Sequence, residues 1–225
     1  MKVLVACEYS GTVRDAFTAR GHDAMSCDIL PTERPGPHHE GDVREVLADD
    51  WDLIIAHPPC TYLSVTGNKW FYHPEDKDLP MESRRPHPRF PDRRRQQEEA
   101  LAFFMLFANA TAPRIAIENP VGIVSTRWRK PDQVIQPYQF GHKEPKKTCL
   151  WLRGLPLLRP TDEVEPEYHI TASGKRVPRW FFYADKSKGQ AHRAKIRSAT
   201  FQGIANAMAD QWGAPQPVQG ELFLR

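Results

Sequence analysis

The sequence predicts a doubly wound α/β sheet, and three observations carry that expectation. Short apolar runs recur along the chain: KVLVA at Lys2–Ala6, LIIA at Leu53–Ala56, RIAIE at 114–118 and TCLWL at 148–152. Strands this apolar suit a sheet covered on both faces. Segments with helical spacing lie between them, which is the signature of crossover connections. The turns after the first three runs hold the chain's most chemically suggestive residues, and such sheets bind ligands outside the strand ends.

In order, Lys2–Ala6 reads as a buried strand. Residues 11–20 then place Val13, Ala16 and Phe17 at helical spacing, and Gly21 is a stop signal. Residues 24–28 form a weaker second strand, and 43–47 a helical turn. Leu53–Ala56 is a strong strand. Residues 94–110 are the clearest helix, polar at the start and apolar at the end. The strands at 114–118 and 148–152 follow, then a helix at 201–212. Right-handed crossovers put all strand C-termini on one edge. Two long segments fall outside this sheet. Residues 61–93 are rich in proline and arginine, with the length of a functional lid or a disordered loop. Residues 154–197 are irregular and basic, and the tail after Gly213 is extended.

The chain has 225 residues, 40% of them hydrophobic, enough for one sizeable domain and too many for global disorder. No run approaches a membrane span and the first residues do not form a leader, so a cytoplasmic protein with no membrane partner is expected. Cys7, Cys27, Cys60 and Cys149 show no CxxC or Cys/His ligand spacing. That argues against structural zinc and a disulfide scaffold. His38, His39 and His57 suit surface or hydrogen-bonding roles better than a metal site, and no metal is expected. Net charge is only +3, but it is unevenly spread. Residues 84–95 hold six arginines and one aspartate. Residues 175–197 hold eight Lys/Arg and one acid, with Trp180, Phe181, Phe182 and Tyr183 among them. Clustered bases with interleaved aromatics suit phosphates and stacked bases. A solvated basic surface is the alternative.

The stretch HPPCTYLSVTG follows the strand at Leu53–Ala56. Two prolines fix φ and remove two donors, so the turn that carries Cys60 is stiff. A cysteine with access and electropositive surroundings is a nucleophile; a small packing residue is the other reading. Glu118, Asn119 and Pro120 end another strand. Partial desolvation there should raise the Glu118 pKa, letting it donate to a ring nitrogen. Otherwise Glu118 is a surface cap and Asn119 shapes a turn. A cysteine and an acid facing a heterocycle suit one reaction in particular. Thiolate addition at C6 of cytosine, assisted at N3, makes C5 a carbon nucleophile that can accept a methyl group.

At these residues the sequence resembles the DNA cytosine-5 methyltransferases. His57-Pro58-Pro59-Cys60 with Ser64 is similar to the family's Gly-Pro-Pro-Cys-Gln-x-Phe-Ser motif, and Glu118-Asn119-Pro120 to its Glu-Asn-Val motif. Tyr9-Ser10-Gly11 resembles its Phe-x-Gly turn, Asp28 stands where an acid meets the cofactor ribose, and Gly41-Asp42-Val43 resembles its Gly-Asp-Ile segment. The order and spacing of all five agree. The resemblance covers most of residues 1–152 and 198–213. It implies a Rossmann-like S-adenosylmethionine-dependent methyltransferase fold, Cys60 as nucleophile, and Glu118, Asn119 and Lys146 at the base. Glu8, Tyr9, Ser10, Gly11, Asp28, Ile29, Asp42, Val43, Pro58 and Asn206 would form the S-adenosylmethionine site. From the residues themselves, Gly11 permits close backbone approach and the next helix N-terminus favours a carboxylate; Gly11 also fits an ordinary turn, and Asp28 and Asp42 also fit simple caps.

There are departures. Cys7 replaces the family's leading acid, Val13 its second glycine, Thr61 its glutamine, Leu63 its phenylalanine and Pro120 its valine. The Gln-x-Arg-x-Arg motif has only QFGHKEPKK at 139–147 in a comparable place. Gly203 and Asn206 echo a Gly-Asn motif without being adjacent. The organisation expected is a catalytic core at 1–152, a small basic aromatic substrate-contact segment at 153–197 in place of a full target-recognition domain, a returning helix at 198–213 and a tail at 214–225. The expected substrate is cytosine in DNA, duplex or single-stranded, read with short sequence specificity by a monomer. Short chains of this pattern resemble phage or prophage proteins, which implies protection of phage DNA from host restriction. Related chemistry on RNA or a pyrimidine nucleotide, and a non-catalytic module that binds nucleic acid or blocks a host protein, are the alternatives. Gln219 to Phe223 (QGELF) loosely resembles peptides that dock on the bacterial sliding clamp; a frayed tail is the other reading.

Overall fold

The computed structural model of the chain describes residues 1–182 and 200–214, with backbone alone at Phe181. Among these residues one large sheet contains β1 (Lys2–Ala6), β2 (Asp23–Asp28), β3 (His38–Glu40), β4 (Leu53–Ala56), β5 (Arg114–Pro120), β6 (Gln133–Ile135) and β7 (Thr148–Arg153). Its order is β3-β2-β1-β4-β5-β7-β6. The first five strands run parallel; β7 is antiparallel to β5, and β6 is antiparallel to β7. The helices are α1 (Thr12–Thr18), α2 (Arg93–Ala108), α3 (Val124–Arg127), α4 (Arg179–Phe182) and α5 (Gln202–Gly213).

The fold is a Rossmann-like, doubly wound α/β sheet with one reversed strand. On one face, Val13 and Phe17 of α1 and Ile204, Met208 and Trp212 of α5 pack on Val3, Val5, Leu53 and Ile55. On the other, Phe104 and Phe107 of α2 and Val124 of α3 pack on Leu4, Ile54, Ile115 and Ile117. Every residue of β4 is buried, as a central strand covered on both sides requires.

Several expectations change. Because β7 is antiparallel, its N-terminus, not its C-terminus, lies at the edge where β5 ends: Thr148 pairs with Pro120. β5 extends two residues past 118, so Asn119 and Pro120 belong to the strand. β3 and β6 were not expected. β3 reads His-His-Glu, with no apolar residue to announce it, and is held by pairing to β2. The segment after 153 is not irregular throughout: β8 (Tyr168–Ile170) and β9 (Arg176–Pro178) form an antiparallel hairpin that leads into α4. Tyr183, the bases between Lys186 and Arg197, and the tail with Gln219 to Phe223 lie outside the described residues. Among the described residues, no helix is long and apolar enough to cross a membrane.

Residues 61–92 are neither a bare loop nor an open lid. They form an excursion with a small core of their own. Trp70, His87 and Phe90 pack edge to face or tilted, with centroids 5.2 to 5.4 Å apart. Arg84 and Arg94 both lie over the Tyr72 ring. Asp76 is buried and takes the Arg85 backbone amide at 2.8 Å and its guanidinium at 2.6 Å.

Candidate active site

The strand order reverses between β1 and β4, so the crevice for a ligand opens outside their C-terminal ends. The two ends are joined directly: the His57 amide donates to the Ala6 carbonyl at 2.9 Å. The Cys7–Gly11 turn leaves one strand here and the proline turn leaves the other.

Cys60 is exposed, while the other cysteines are buried or partly so, and all four are thiols. Its turn is held from three sides. The buried Asn119 side chain donates Nδ2 to the Pro58 carbonyl at 2.7 Å. The amides of Leu63 and Ser64 fold back on the Cys60 carbonyl at 3.1 and 3.0 Å. Leu63 and Val65 pair with Val121 and Ile123, through Val65 N–H to the Val121 carbonyl at 3.1 Å and Ile123 N–H to the Leu63 carbonyl at 2.8 Å. Gly122 permits that approach, because a Cβ there would collide with the Leu63 carbonyl. From α2, Arg93 donates to the Thr61 carbonyl at 3.0 Å and Gln97 to the Tyr62 carbonyl at 2.9 Å. Arg93 is buried with its guanidinium over both Tyr62 and Phe71. The turn is stiff because of its prolines and because distant segments converge on it.

Glu118 reaches the same edge from β5, keeping 20% of its side chain exposed. The expected rise in its pKa does not occur. Burial pushes the carboxyl up, but a hydrogen bond from His57, with the charges of Lys146 and His57, more than offsets this and holds it below the usual carboxylate range. Lys146 is brought to Glu118 by the reversed β7, and its ammonium also lies over the Phe201 ring, just before α5. Glu118 in turn helps raise the neighbouring Cys149 thiol, which burial pushes to about 11. The structure therefore gathers Glu118, Asn119, Lys146 and the Cys60 turn at one sheet edge. Sequence reasoning missed the roles of Arg93, Gln97 and Gly122; none carries a local signal, since each acts on a partner far along the chain.

The residues expected to hold a cofactor have well-defined local roles. Glu8 is buried and its carboxylate caps α1, accepting from the amides of Val13 at 2.7 Å and Arg14 at 3.2 Å. That helix end was expected to take the cofactor carboxylate; Glu8 occupies it. Ser10 also donates to Glu8, and the Tyr9 carbonyl accepts from the Glu33 amide. Gly11 has φ +71°, and a Cβ there would meet the Arg14 guanidinium at 2.5 Å, so the close approach it permits is by the chain itself. Asp28 turns onto the Leu30 amide at 3.0 Å, and burial raises its carboxyl pKa. Asp42 is a cap as well: it accepts from the Arg44 amide at 2.9 Å and pairs with its guanidinium. Val43 is buried in the core. Ile29 is different. It stands 77% exposed beside Asp28, an apolar surface at a polar edge. Pro58 is buried, and Asn206 is exposed on α5, accepting from Gln202 at 3.0 Å. Asp28 and Ile29 thus set an acid beside an exposed apolar side chain at this edge, while Glu8 already occupies the α1 amides.

His38 and His39 take hydrogen-bonding roles, with Ser26 and Glu45 respectively. Among the described residues, no group of three or more His, Cys, Asp and Glu could hold a metal ion. The hairpin meets the 143–145 segment around a hollow of about 320 Å³ lined by Lys143, Glu144, Glu167, Arg179 and Trp180. Glu167 pairs with both Lys143 and Arg179 there.

No protein-family profile matches the chain, and no curated protein matches it. Among solved structures, it is similar to a candidate DNA modification methyltransferase encoded within an Escherichia coli prophage. That match has 14% identity and a TM-score of 0.43, and covers 73% of this chain and 52% of the other. It is also similar to an rRNA methylase from Escherichia coli, with 14% identity and a TM-score of 0.36, over 67% of this chain and 55% of the other. The chain thus spans about half the length of either structure.

Proposed function

We propose that the protein methylates cytosine at C5 in DNA, using S-adenosylmethionine and a transient bond between Cys60 and C6. The observation that carries this reading is the Asn119–Pro58 bond of 2.7 Å. It ties the turn that presents an exposed cysteine to the strand that presents Glu118, at the switch point of the sheet. A nucleophile and a base-edge group held by one buried contact suit addition to a flat ring.

In this reading the Cys60 thiolate adds to C6, and the electron pair of the C5–C6 double bond moves into the ring. Glu118 faces the N3 edge and, once protonated, donates there as negative charge develops. Lys146 keeps that acid ordered and the surroundings positive. When bound, S-adenosylmethionine supplies an electrophilic methyl group. The C5 proton then leaves to a base, the double bond re-forms and the sulfur departs. Asp28 and Ile29 would hold the adenosine, with Ile29 covered by the purine. Flipping a cytosine out of duplex DNA costs a few kcal/mol, so single-stranded DNA is the easier substrate. A small hairpin between β7 and α5 offers less surface for reading bases than a separate domain does, which favours a short recognition site.

The test is transfer of labelled methyl groups to unmodified duplex and single-stranded DNA, followed by nucleoside analysis. We expect 5-methylcytosine from the wild type and none from Cys60→Ala. Product made equally by Cys60→Ala would refute covalent catalysis. Label found in RNA or free nucleotides, and never in DNA, would move the substrate.

A further inference from the structure

The residue ahead of the two prolines is a histidine, where the family resembled in sequence has glycine. Its backbone continues the β1–β4 pairing, and its side chain is only 10% exposed. Nδ1 lies 3.4 Å from Oε2 of Glu118, 61 residues away in sequence. Against an ionised carboxylate, which can only accept, Nδ1 is the ring nitrogen placed to donate. The other ring nitrogen, Nε2, is buried and has no hydrogen-bond partner in the protein. A buried polar atom without a partner is costly and calls for a reason. Lys146 also acts on Glu118, Cys149 of β7 with nearby Lys147 lies beside it, and Cys60 sits three residues along the same turn.

We propose that His57 is a positioning residue that shares a proton with Glu118 and delivers it, through that carboxylate, to N3 of the base. The inference rests on the cytosine reading above and deepens it. An ionised Glu118 has no proton to give, yet N3 becomes basic as sulfur bonds to C6. In the loaded form both nitrogens of His57 carry hydrogen. As the S–C6 bond forms, the Nδ1–H proton passes to Oε2 and Glu118 gives a proton to N3. His57 is left neutral with its hydrogen on Nε2 and no donor toward the re-ionised Glu118, a form confined to the adduct, in which N3 is uncharged; the resting neutral ring carries its hydrogen on Nδ1. When the C5 proton has left and the S–C6 bond breaks, the N3 proton returns by the same route. Glycine at this position would supply neither the proton nor the contact that orients Glu118.

Two measurements test this. Long-range proton–nitrogen NMR of the wild type reads the His57 tautomer directly and needs no variant. We expect hydrogen on Nδ1 in the neutral ring, and loss of that preference in Glu118→Ala. Hydrogen on Nε2 in the neutral wild-type ring would overturn the pairing. Single-turnover methyl transfer is then compared in wild type and His57→Gln across pH, with melting curves confirming that the variant folds. We expect a loss of at least tenfold in rate, little change in KM for DNA, and a pH profile that differs from that of the wild type. A His57→Gln enzyme with the wild-type rate and pH profile overturns the relay. A wild type with the expected tautomer that never makes 5-methylcytosine overturns the proposed function and the delivery step, but leaves the pair standing, so the two failures are distinguishable.

Discussion

Replacing Asn119 by alanine should loosen the Cys60 turn without touching Cys60. The Nδ2 donor that caps the Pro58 carbonyl is lost, and both residues are buried, so water does not readily replace it. Leaving a buried carbonyl unsatisfied costs about 1–3 kcal/mol. Part of that is returned, because Asn119 Oδ1 is itself buried without a partner and disappears too. The net loss should be roughly 1–2 kcal/mol. For a chain of this length that is a fall in Tm of about 2–8 °C. Thermal unfolding followed by circular dichroism measures it, and methyl transfer by the same variant should fall further than the stability change requires. Asn119→Asp should be worse than alanine, since it places an acceptor against the carbonyl. A Tm for Asn119→Ala within about 1 °C of wild type would show that the turn is held by its prolines and loop pairing, and that the argument from this bond is wrong.

Gly122→Ala should cost about 1–3 kcal/mol by overpacking, because its Cβ runs into the Leu63 carbonyl and splits the pairing beside Cys60; denaturant unfolding measures the loss. Thiol alkylation read by mass spectrometry should modify Cys60 first, since it is exposed, whereas burial raises Cys27 and Cys149 to about 11 and raises Cys7 as well. Equal labelling of all four would contradict the placement of the turn. Asp76 should make the 61–92 excursion acid-labile. The Arg85 side-chain hydrogen bond lowers its carboxyl to about 2, so its contribution is present above the ordinary carboxylate range and is lost as pH falls toward 2. Asp76→Asn should flatten that limb of the stability curve, and an unchanged limb would assign it to other carboxylates.

The strands that place the site were legible because burial on both faces writes itself as an unbroken apolar run. β1 and β4 coincide with the KVLVA and LIIA runs. β3 and β6 were not legible, since three polar or mixed residues paired through the backbone carry no periodic signal. Cys60 and Glu118 could be picked out from strand ends. What connects them could not: Asn119 to Pro58 and His57 to Glu118 are contacts across 61 residues, formed only when β4 and β5 lie side by side. The Glu118 pKa went the other way for the same reason. A strand end suggests desolvation, but the opposing His57 and Lys146 arrive from β4 and from the reversed β7.

The arginine-rich stretch shows that charge clustered in a sequence can also serve the fold. Six arginines in residues 84–95 suggest a phosphate surface. In the fold, Arg85 is committed to Asp76 and Glu75, Arg93 is buried under the Cys60 turn, and Arg95 pairs with Glu99. Arg84 and Arg94 both lie over the Tyr72 ring. Exposed Arg89, over Phe90, is the member whose charge is least engaged in these contacts. The stretch therefore works first as the frame of the excursion that grips residues 61 and 62.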